Sequence, residues 1–141
     1  DAAGFQHLGL GEKLAEHGLE DALMNRLQDT LMELGRGMTF VGRQVRFTVD
    51  GVDRWIDLLL FHTEQLRYVV IELKRGLAGR SAVAQLLSYR ASMDDEFEAS
   101  QKAVGVLVGE RLDNEALGMV ADDERLKFIA LDELVSLEDL T

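Results

Sequence analysis

Residues 54–76 read "RWIDLLLFHTEQLRYVVIELKRG" and contain two apolar segments separated by a short polar loop. Both segments have the length and composition of buried β-strands. Three charged residues nevertheless lie inside them: Asp57, Glu72 and Lys74. Because such side chains are almost never buried without compensation, this stretch predicts a central strand pair and a chemical role for its three charges.

The loop between the two strands determines how these residues face one another. If it spans four residues, His62 pairs with Arg67, and counting back along the antiparallel ladder places Asp57 opposite Glu72. Their Cβ atoms would then lie about 4.5–5.5 Å apart. Lys74 follows Glu72 by two residues and shares its face of the sheet. The sequence thus predicts two carboxylates and an ammonium group on one face.

Two carboxylates at this separation repel each other, and without a partner one of them would take up a proton near neutral pH. A divalent cation removes this conflict, and hard oxygen ligands suit Mg²⁺ or Mn²⁺. Such a metal ion can activate water and stabilise the charge that grows on a phosphodiester, while a neighbouring lysine assists. The pattern therefore predicts phosphodiester hydrolysis.

Hydrophobic periodicity and turn signals predict the remaining elements in the order αβββαβαβα. The predicted helices cover 19–34, a segment that starts at an N-cap at Ser81, 113–120 and 132–140, and the predicted strands cover 40–49, 52–61, 67–74, 104–108 and 126–131. The fold class is α/β, a mixed central sheet that contains an antiparallel three-strand meander and is flanked by helices. We expect one domain over residues 1–141, with residues 1–11 as a loose arm.

Composition narrows the function further. The chain has no cysteine, which excludes disulfides, thiolate metal sites and a cysteine nucleophile. No apolar run approaches the length of a membrane span, and a reducing cytoplasm is the expected location. The chain begins with Asp rather than Met, which suggests a fragment of a longer protein.

The net charge of −11 is unevenly distributed. Between residues 36 and 90, nine basic residues stand against five acidic ones, so the middle of the chain is basic and the flanks are acidic. A basic region around the three buried charges is compatible with nucleic-acid binding. The acidic flanks leave open a protein-interaction domain instead.

Other side chains are candidates for the same site. Gln85 and Tyr89 are spaced i, i+4 on the helix after the third strand, so both face one way, where Gln85 would suit a metal-bound water or a phosphate oxygen. Glu20 borders the apolar stripe of the first helix and could add a carboxylate, or it could simply complement the helix dipole. The candidate nucleic-acid contacts are Arg43, Arg75, Arg80 and Tyr89.

Three of these contacts have a simpler alternative. Arg75 and Arg80 could be ordinary solvated charges, and Tyr89 could pack in the core with its hydroxyl at the rim. Trp55 is predicted to lie in the core or in an interface rather than to stack on a base.

Asp57, then Glu72-Leu73-Lys74, then Gln85 with Tyr89, resembles the PD-(D/E)xK nuclease superfamily, which has the restriction-endonuclease-like fold. Residues 33–76 resemble the YhcG-like predicted nucleases in particular. The segments "QLLSY", "GVLVGERLDNEALGMV" and "LKFIAL" look more like the C-terminal nuclease domain of NucS-type endonucleases. Ile56 stands where the motif has proline.

The resemblance implies that Asp57, Glu72 and the carbonyl of Leu73 bind the metal ion, that Lys74 is catalytic, and that Glu20 and Gln85 assist, with Glu20 as a further ligand. The function it implies is a Mg²⁺- or Mn²⁺-dependent DNA endonuclease, which a homodimer could use to cut two strands. A further domain or a protein partner would supply specificity. The alternative is a catalytically silent module of this fold that binds nucleic acid or a protein partner.

Overall fold

The computed structural model of the chain describes residues 10–34 and 37–133, without the side chains of residues 10–20, 34 and 49. Its centre is a five-stranded sheet in the order β1-β2-β3-β4-β5. The strands are β1 (Met38–Val49), β2 (Val52–His62), β3 (Arg67–Ala78), β4 (Val104–Leu112) and β5 (Leu126–Ala130). The helices are α1 (Leu10–Leu34), α2 (Arg80–Glu96) and α3 (Asn114–Ala121).

The first three strands form the predicted antiparallel meander, while β4 and β5 run parallel to β3. A mixed sheet flanked by helices is therefore confirmed. The hairpin predicted from Asp50-Gly51 is also present: both residues have positive φ and Val49 pairs with Val52, as a two-residue hairpin turn requires.

Three helix boundaries differ from the prediction. Helix α1 begins at Leu10, well before Leu19, and it includes the last two residues of the predicted arm, whose residues 1–9 lie outside the described part of the chain. The predicted N-cap at Ser81 is wrong: Gly79 is the N-cap of α2 and Ser81 lies within the helix. The predicted helix over 132–140 falls mostly on residues outside the described ranges, within which residues 131–133 are helical.

The sheet has an apolar core on each face. On one face, Met24 and Leu27 of α1 pack with Leu58, Leu60, Val69, Ile71, Val106 and Val108. On the other face, which we call the α2 side, helices α2 and α3 pack over Ile56, Leu59, Val70 and Leu107. Because the central strands are buried on both faces, they read as the nearly continuous apolar runs seen in the sequence.

The sheet opens between its second and third strands. The β2–β3 ladder runs from His62 paired with Arg67, as predicted, to Leu58 paired with Ile71. Past that point β2 continues beside β1, while β3 continues beside β4. The two strands thus diverge into a fork, whose first residues are Asp57 on β2 and Glu72 on β3.

Candidate active site

The two predicted carboxylates occupy this fork. The backbone N–H of Asp57 donates a hydrogen bond to Glu72 Oε1 over 3.1 Å, and the backbone N–H of Leu73 donates one to Asp57 Oδ2 over 2.9 Å. Each carboxylate therefore satisfies a backbone donor of the neighbouring strand, where a regular ladder would have used a carbonyl. These two hydrogen bonds link the carboxylates to the neighbouring strands at the point where the regular ladder ends.

Strand β2 is irregular at this point. Ile56 and Leu59 both pack on the α2 side although they are three residues apart, and strict alternation would put them on opposite faces. On β1, Gln44 has a φ of 50°, and its Nε2 donates to Asp57 Oδ1 over 3.0 Å. The predicted direct pairing of Asp57 with Glu72 is therefore wrong. The β2–β3 ladder ends at Leu58 and Ile71, and hydrogen bonds between side chain and backbone join the two strands instead.

Sequence reasoning did not single out Gln44, yet a signal for it existed. Counting back from the Asp50-Gly51 turn along the β1–β2 hairpin, which pairs Val45 with Ile56, brings Gln44 level with Asp57. Its positive φ, which few non-glycine residues adopt, could not be read from the sequence.

The fork changes the ionisation of Glu72. Burial, with the nearby charge of Asp57 as the second cause, raises the pKa of Glu72 to about 8. The hydrogen bond from the Asp57 N–H acts in the opposite direction but is outweighed. Two carboxylates that share one partly buried position thus favour a proton, or a cation in its place, at neutral pH.

The donor set at the fork fits a hard divalent cation. Among the side chains that the structure describes, no group of three or more His, Cys, Asp or Glu residues could hold a metal ion. Mg²⁺, however, is commonly bound through one or two carboxylates, with waters and substrate phosphate completing its shell. The described chain offers that minimum in Asp57 and Glu72, and the side chain of Glu20 lies outside the described residues.

An open cleft of about 180 Å³ lies beside Asp57. Arg43 and Arg75, two of the predicted phosphate contacts, line it together with Gln44 and Leu73. Asp21 and Met24 of α1 complete the lining, so the helix that carries Glu20 borders the cleft.

Both arginines of the cleft are held by acidic or amide groups. Arg43 donates to Asn25 Oδ1 over 2.5 Å and lies 3.9 Å from Asp21, while Arg75 lies 3.7 Å from Glu110. These pairs are partly exposed, so they orient the guanidinium groups without removing them from solvent.

Lys74 follows Glu72 on β3 at the spacing that keeps both on one face of a regular strand. Its side chain is exposed and forms no hydrogen bond or ion pair with any other described residue. The ammonium group of Lys74 is therefore available to a ligand.

Gln85 and Tyr89 interact with each other. Gln85 Nε2 donates to the Tyr89 hydroxyl over 2.5 Å, and the tyrosine ring packs edge-on against Phe47 with centroids 5.2 Å apart. Tyr89 is 2% exposed, so the core-packing alternative applies and the prediction of a nucleic-acid contact for Tyr89 is wrong. Gln85 itself is exposed.

Arg80 is placed away from the cleft. It forms an exposed ion pair with Glu115 of α3 over 3.3 Å and is absent from the cleft lining. Of the four predicted nucleic-acid contacts, the structure thus brings only Arg43 and Arg75 together with Asp57.

The mixed sheet and the carboxylates at its fork are those of a PD-(D/E)xK nuclease domain. Residues 1–132 match the family described as the YhcG PDDEXK nuclease domain, so the chain belongs to that family. This confirms the predicted resemblance.

Relatives and solved structures agree with this membership. "Putative nuclease YhcG" of Escherichia coli (strain K12) is 37% identical over 87 residues, which cover 60% of this chain and 23% of that protein. The crystal structure of a repair endonuclease from Pyrococcus abyssi superposes with a TM-score of 0.56 at 24% identity, covering 75% of this chain and 45% of the other. EndoMS in a complex with dsDNA gives 0.55 at 24% identity, covering 75% and 43%.

The two structural matches share the fold of this chain. The match spans under a quarter of the curated relative and under half of each structural neighbour. Within the described ranges, no helix has both the length and the apolar character needed to cross a membrane.

Proposed function

We propose that this domain is a metal-dependent DNA endonuclease. The observation that carries the proposal is the fork, where burial, and after it the neighbouring charge of Asp57, raises the pKa of Glu72 to about 8. Two ionised carboxylates so placed destabilise the domain unless a cation offsets their charge. Their oxygen atoms are ligands that suit Mg²⁺ or Mn²⁺. DNA as substrate is supported by the structural neighbour EndoMS, which forms a complex with dsDNA.

Each residue has a role in this mechanism. Asp57 and Glu72 would hold the metal ion, with the Leu73 carbonyl and Glu20 as further ligands. When bound, the ion would supply activation of water and stabilisation of negative charge. Gln44 fixes the orientation of Asp57 through its 3.0 Å hydrogen bond. Lys74, whose ammonium group is exposed, donates to the scissile phosphate or holds the attacking water.

The surroundings would bind and align the strand. Arg43 and Arg75 contact phosphates at the cleft, and Arg80 contacts the backbone further away. Gln85, held by Tyr89, hydrogen-bonds a phosphate oxygen or a water. A homodimer would bring a second site to the other strand, and a region outside this chain or a protein partner would select the target.

The decisive experiment is cleavage of single- and double-stranded DNA in Mg²⁺ and Mn²⁺. Asp57→Asn should lower the cleavage rate by about 10³-fold, since it removes a ligand and the charge that the metal ion requires. The matched control is Asp95→Asn, an exposed acid of α2 that should leave the rate unchanged. Full activity in Asp57→Asn, or in excess chelator, would refute the proposal.

A silent module is the second candidate, and the two-carboxylate donor set among the described side chains is the observation in its favour. It predicts DNA or protein binding that persists in chelator, with no cleavage of any DNA form by the wild-type chain. The same assay therefore separates the two functions.

A further inference from the structure

The β1–β2 hairpin extends past the fork. Its pairs continue from Val45 with Ile56 to Val49 with Val52, beyond the end of the β2–β3 ladder at Leu58. We call residues 45–56 the distal ribbon. Its two strands pair with each other, and no other described strand pairs with either of them there.

The two faces of the distal ribbon differ. One face packs on the α2 side through Phe47 and Ile56, which are buried, and Val45, which packs against them. The other face carries Arg46 and Trp55, which are directly paired across the strands. Trp55 is 48% exposed and the Arg46 side chain is 66% exposed, so of the two positions predicted for Trp55, core or interface, the core is wrong.

The exposed face leads directly to the proposed active site. Asp57 follows Trp55 by two residues, about 6–7 Å between Cα atoms. Ile56 between them packs on the α2 side, and Asp57 lines the cleft with Asp21 and Met24 of α1, so Asp57 and Trp55 share this face. Gln44 bonds to Asp57 from the opposite strand, and both of them line the cleft that contains Arg43. An exposed indole thus continues the row of polar groups that ends at the carboxylates.

The chemistry of this surface suits a nucleobase. The Trp55 ring contacts no other aromatic ring among the described residues, so its face is free to receive one. Arg46 is paired with Trp55 on the neighbouring strand, where its guanidinium group could contact the phosphate of the same nucleotide. The nearby Asp53 is already compensated, because it accepts a hydrogen bond from Thr48 over 2.8 Å and lies 3.8 Å from Arg46.

We propose that Trp55 stacks on an unpaired nucleobase of the DNA strand whose phosphate is held at Asp57 and Glu72. This inference rests on the proposed nuclease function and specifies its substrate. A base inside a continuous duplex already has stacking neighbours on both faces, whereas an unpaired base offers a free face to an aromatic side chain. The domain should therefore prefer single-stranded or locally unpaired DNA to a continuous duplex.

Trp55 is the one tryptophan in the sequence, so its fluorescence reports directly on this contact. The test uses the Lys74→Ala chain in Mg²⁺, titrated with a labelled oligothymidylate of about 12 nucleotides, alone or paired with its complement. Binding is followed independently by anisotropy of the label. We expect quenching of the tryptophan on binding of the single strand, and much less with the duplex.

Variants then separate stacking from structure. Trp55→Ala should weaken single-strand binding about 10-fold, the effect of losing one stacked base, and Trp55→Phe should retain most of the affinity. The matched control is Phe97→Ala: Phe97 is 45% exposed and packs near Tyr68, at the other end of β3, and its removal should leave affinity unchanged.

Unchanged tryptophan fluorescence at saturating single strand would overturn the inference, and so would a single-strand affinity of Trp55→Ala within twofold of the parent chain. Normal metal-dependent cleavage by Trp55→Ala, with unchanged preference for strand form, would reject Trp55 alone and leave the nuclease proposal intact. Quenching on single-strand binding, together with no cleavage of any DNA form by the wild-type chain, would reject the nuclease proposal and leave the Trp55 contact intact. If the tryptophan fluorescence is quenched as the protein concentration rises in the absence of DNA, the ring lies in an interface between copies of the chain, and the inference is overturned.

Discussion

At the scale of single residues, Glu72 links the proposed chemistry to stability. Its pKa is raised from 4.5 to about 8 in the folded chain, so the folded state holds this proton more tightly than the unfolded state between those values. The free energy of unfolding of the metal-free protein must therefore fall as pH rises through this window. Above pH 8 the loss is complete, and below about pH 4.5 it is absent.

Glu72→Gln should remove this dependence. In chelator at pH 8 we expect the variant to be more stable than the wild type by about 1–3 kcal/mol, and at pH 5 the two should be nearly equal. Urea unfolding at both pH values measures this. Glu64→Gln, at an exposed loop position, is the control and should track the wild type. A wild-type stability that stays level between pH 5 and pH 8 would contradict the placement of Glu72.

Gly109 supports the strand that carries Lys74. A Cβ at Gly109 would lie 2.7 Å from the carbonyl oxygen of Lys74, a backbone atom that moves only if β3 and β4 separate. Gly109→Ala should therefore destabilise the domain by about 1–3 kcal/mol and lower cleavage as well. Gly118→Ala is the matched control, because nothing lies within 4 Å of its added Cβ, and it should be neutral or stabilising by up to about 1 kcal/mol in thermal unfolding. Equal stability of the two variants would refute the close approach.

At the scale of elements, Arg90 fastens α2 to the segment that precedes β5. This buried arginine donates to the Arg125 carbonyl over 2.8 Å and to Asp123 Oδ2 over 2.8 Å. The hydrogen bond from Arg90 is the main cause that lowers the pKa of Asp123. Since α2 also carries Gln85, this contact fixes the helix from which Gln85 is proposed to act.

Arg90→Met keeps the aliphatic packing but removes the hydrogen bonds to Asp123 and to the Arg125 carbonyl, which keeps the Gly105 N–H as a donor. We therefore expect a loss of about 1–3 kcal/mol at pH 7. The Asp123 part of this loss should shrink as pH falls below 3.8, the ordinary pKa of Asp, and should vanish only where the folded carboxylate, whose pKa is lower, is also protonated. Denaturant unfolding at pH 7 and pH 3 measures the difference. Arg80→Met removes only an exposed pair and should cost under about 1 kcal/mol. A loss in Arg90→Met no larger than this would contradict the role of Arg90.

At the scale of the whole molecule, the proposed metal binding at the fork would couple metal affinity to folding stability. A ligand at 100 times its Kd stabilises the folded state by about 2.7 kcal/mol, which corresponds to a rise in Tm of roughly 5–10 °C. We expect Mn²⁺ to produce such a rise at pH 8 and a smaller one at pH 6, where Glu72 holds a proton that the metal ion must displace.

Thermal unfolding with and without Mn²⁺ measures this effect, and Asp57→Asn should abolish it. Asp95→Asn again serves as the control and should keep the full rise in Tm. If Mn²⁺ stabilises Asp57→Asn as much as the wild type, the ion binds elsewhere on this acidic protein, and the fork is not its site.

The sequence by itself determined the sheet and the identity of the carboxylates. Apolar runs, the Asp50-Gly51 turn and the loop after His62 gave the order and pairing of β1, β2 and β3, because hydrophobic periodicity and turn chemistry are local properties of the chain. The motif of Asp57, Glu72 and Lys74 indicated the family correctly, because the types and spacing of its residues are also visible in the sequence.

Only the tertiary structure decided how these groups are compensated and what surrounds them. The positive φ of Gln44, the exchange of hydrogen bonds at the fork and the exposure of Trp55 all depend on where β2 leaves β3 and which helix covers each face. The burial of Tyr89 and the ion pair of Arg80 with Glu115 of α3 likewise depend on the packing of α2. These are contacts between distant segments, and the local pattern of a chain does not encode its long-range neighbours.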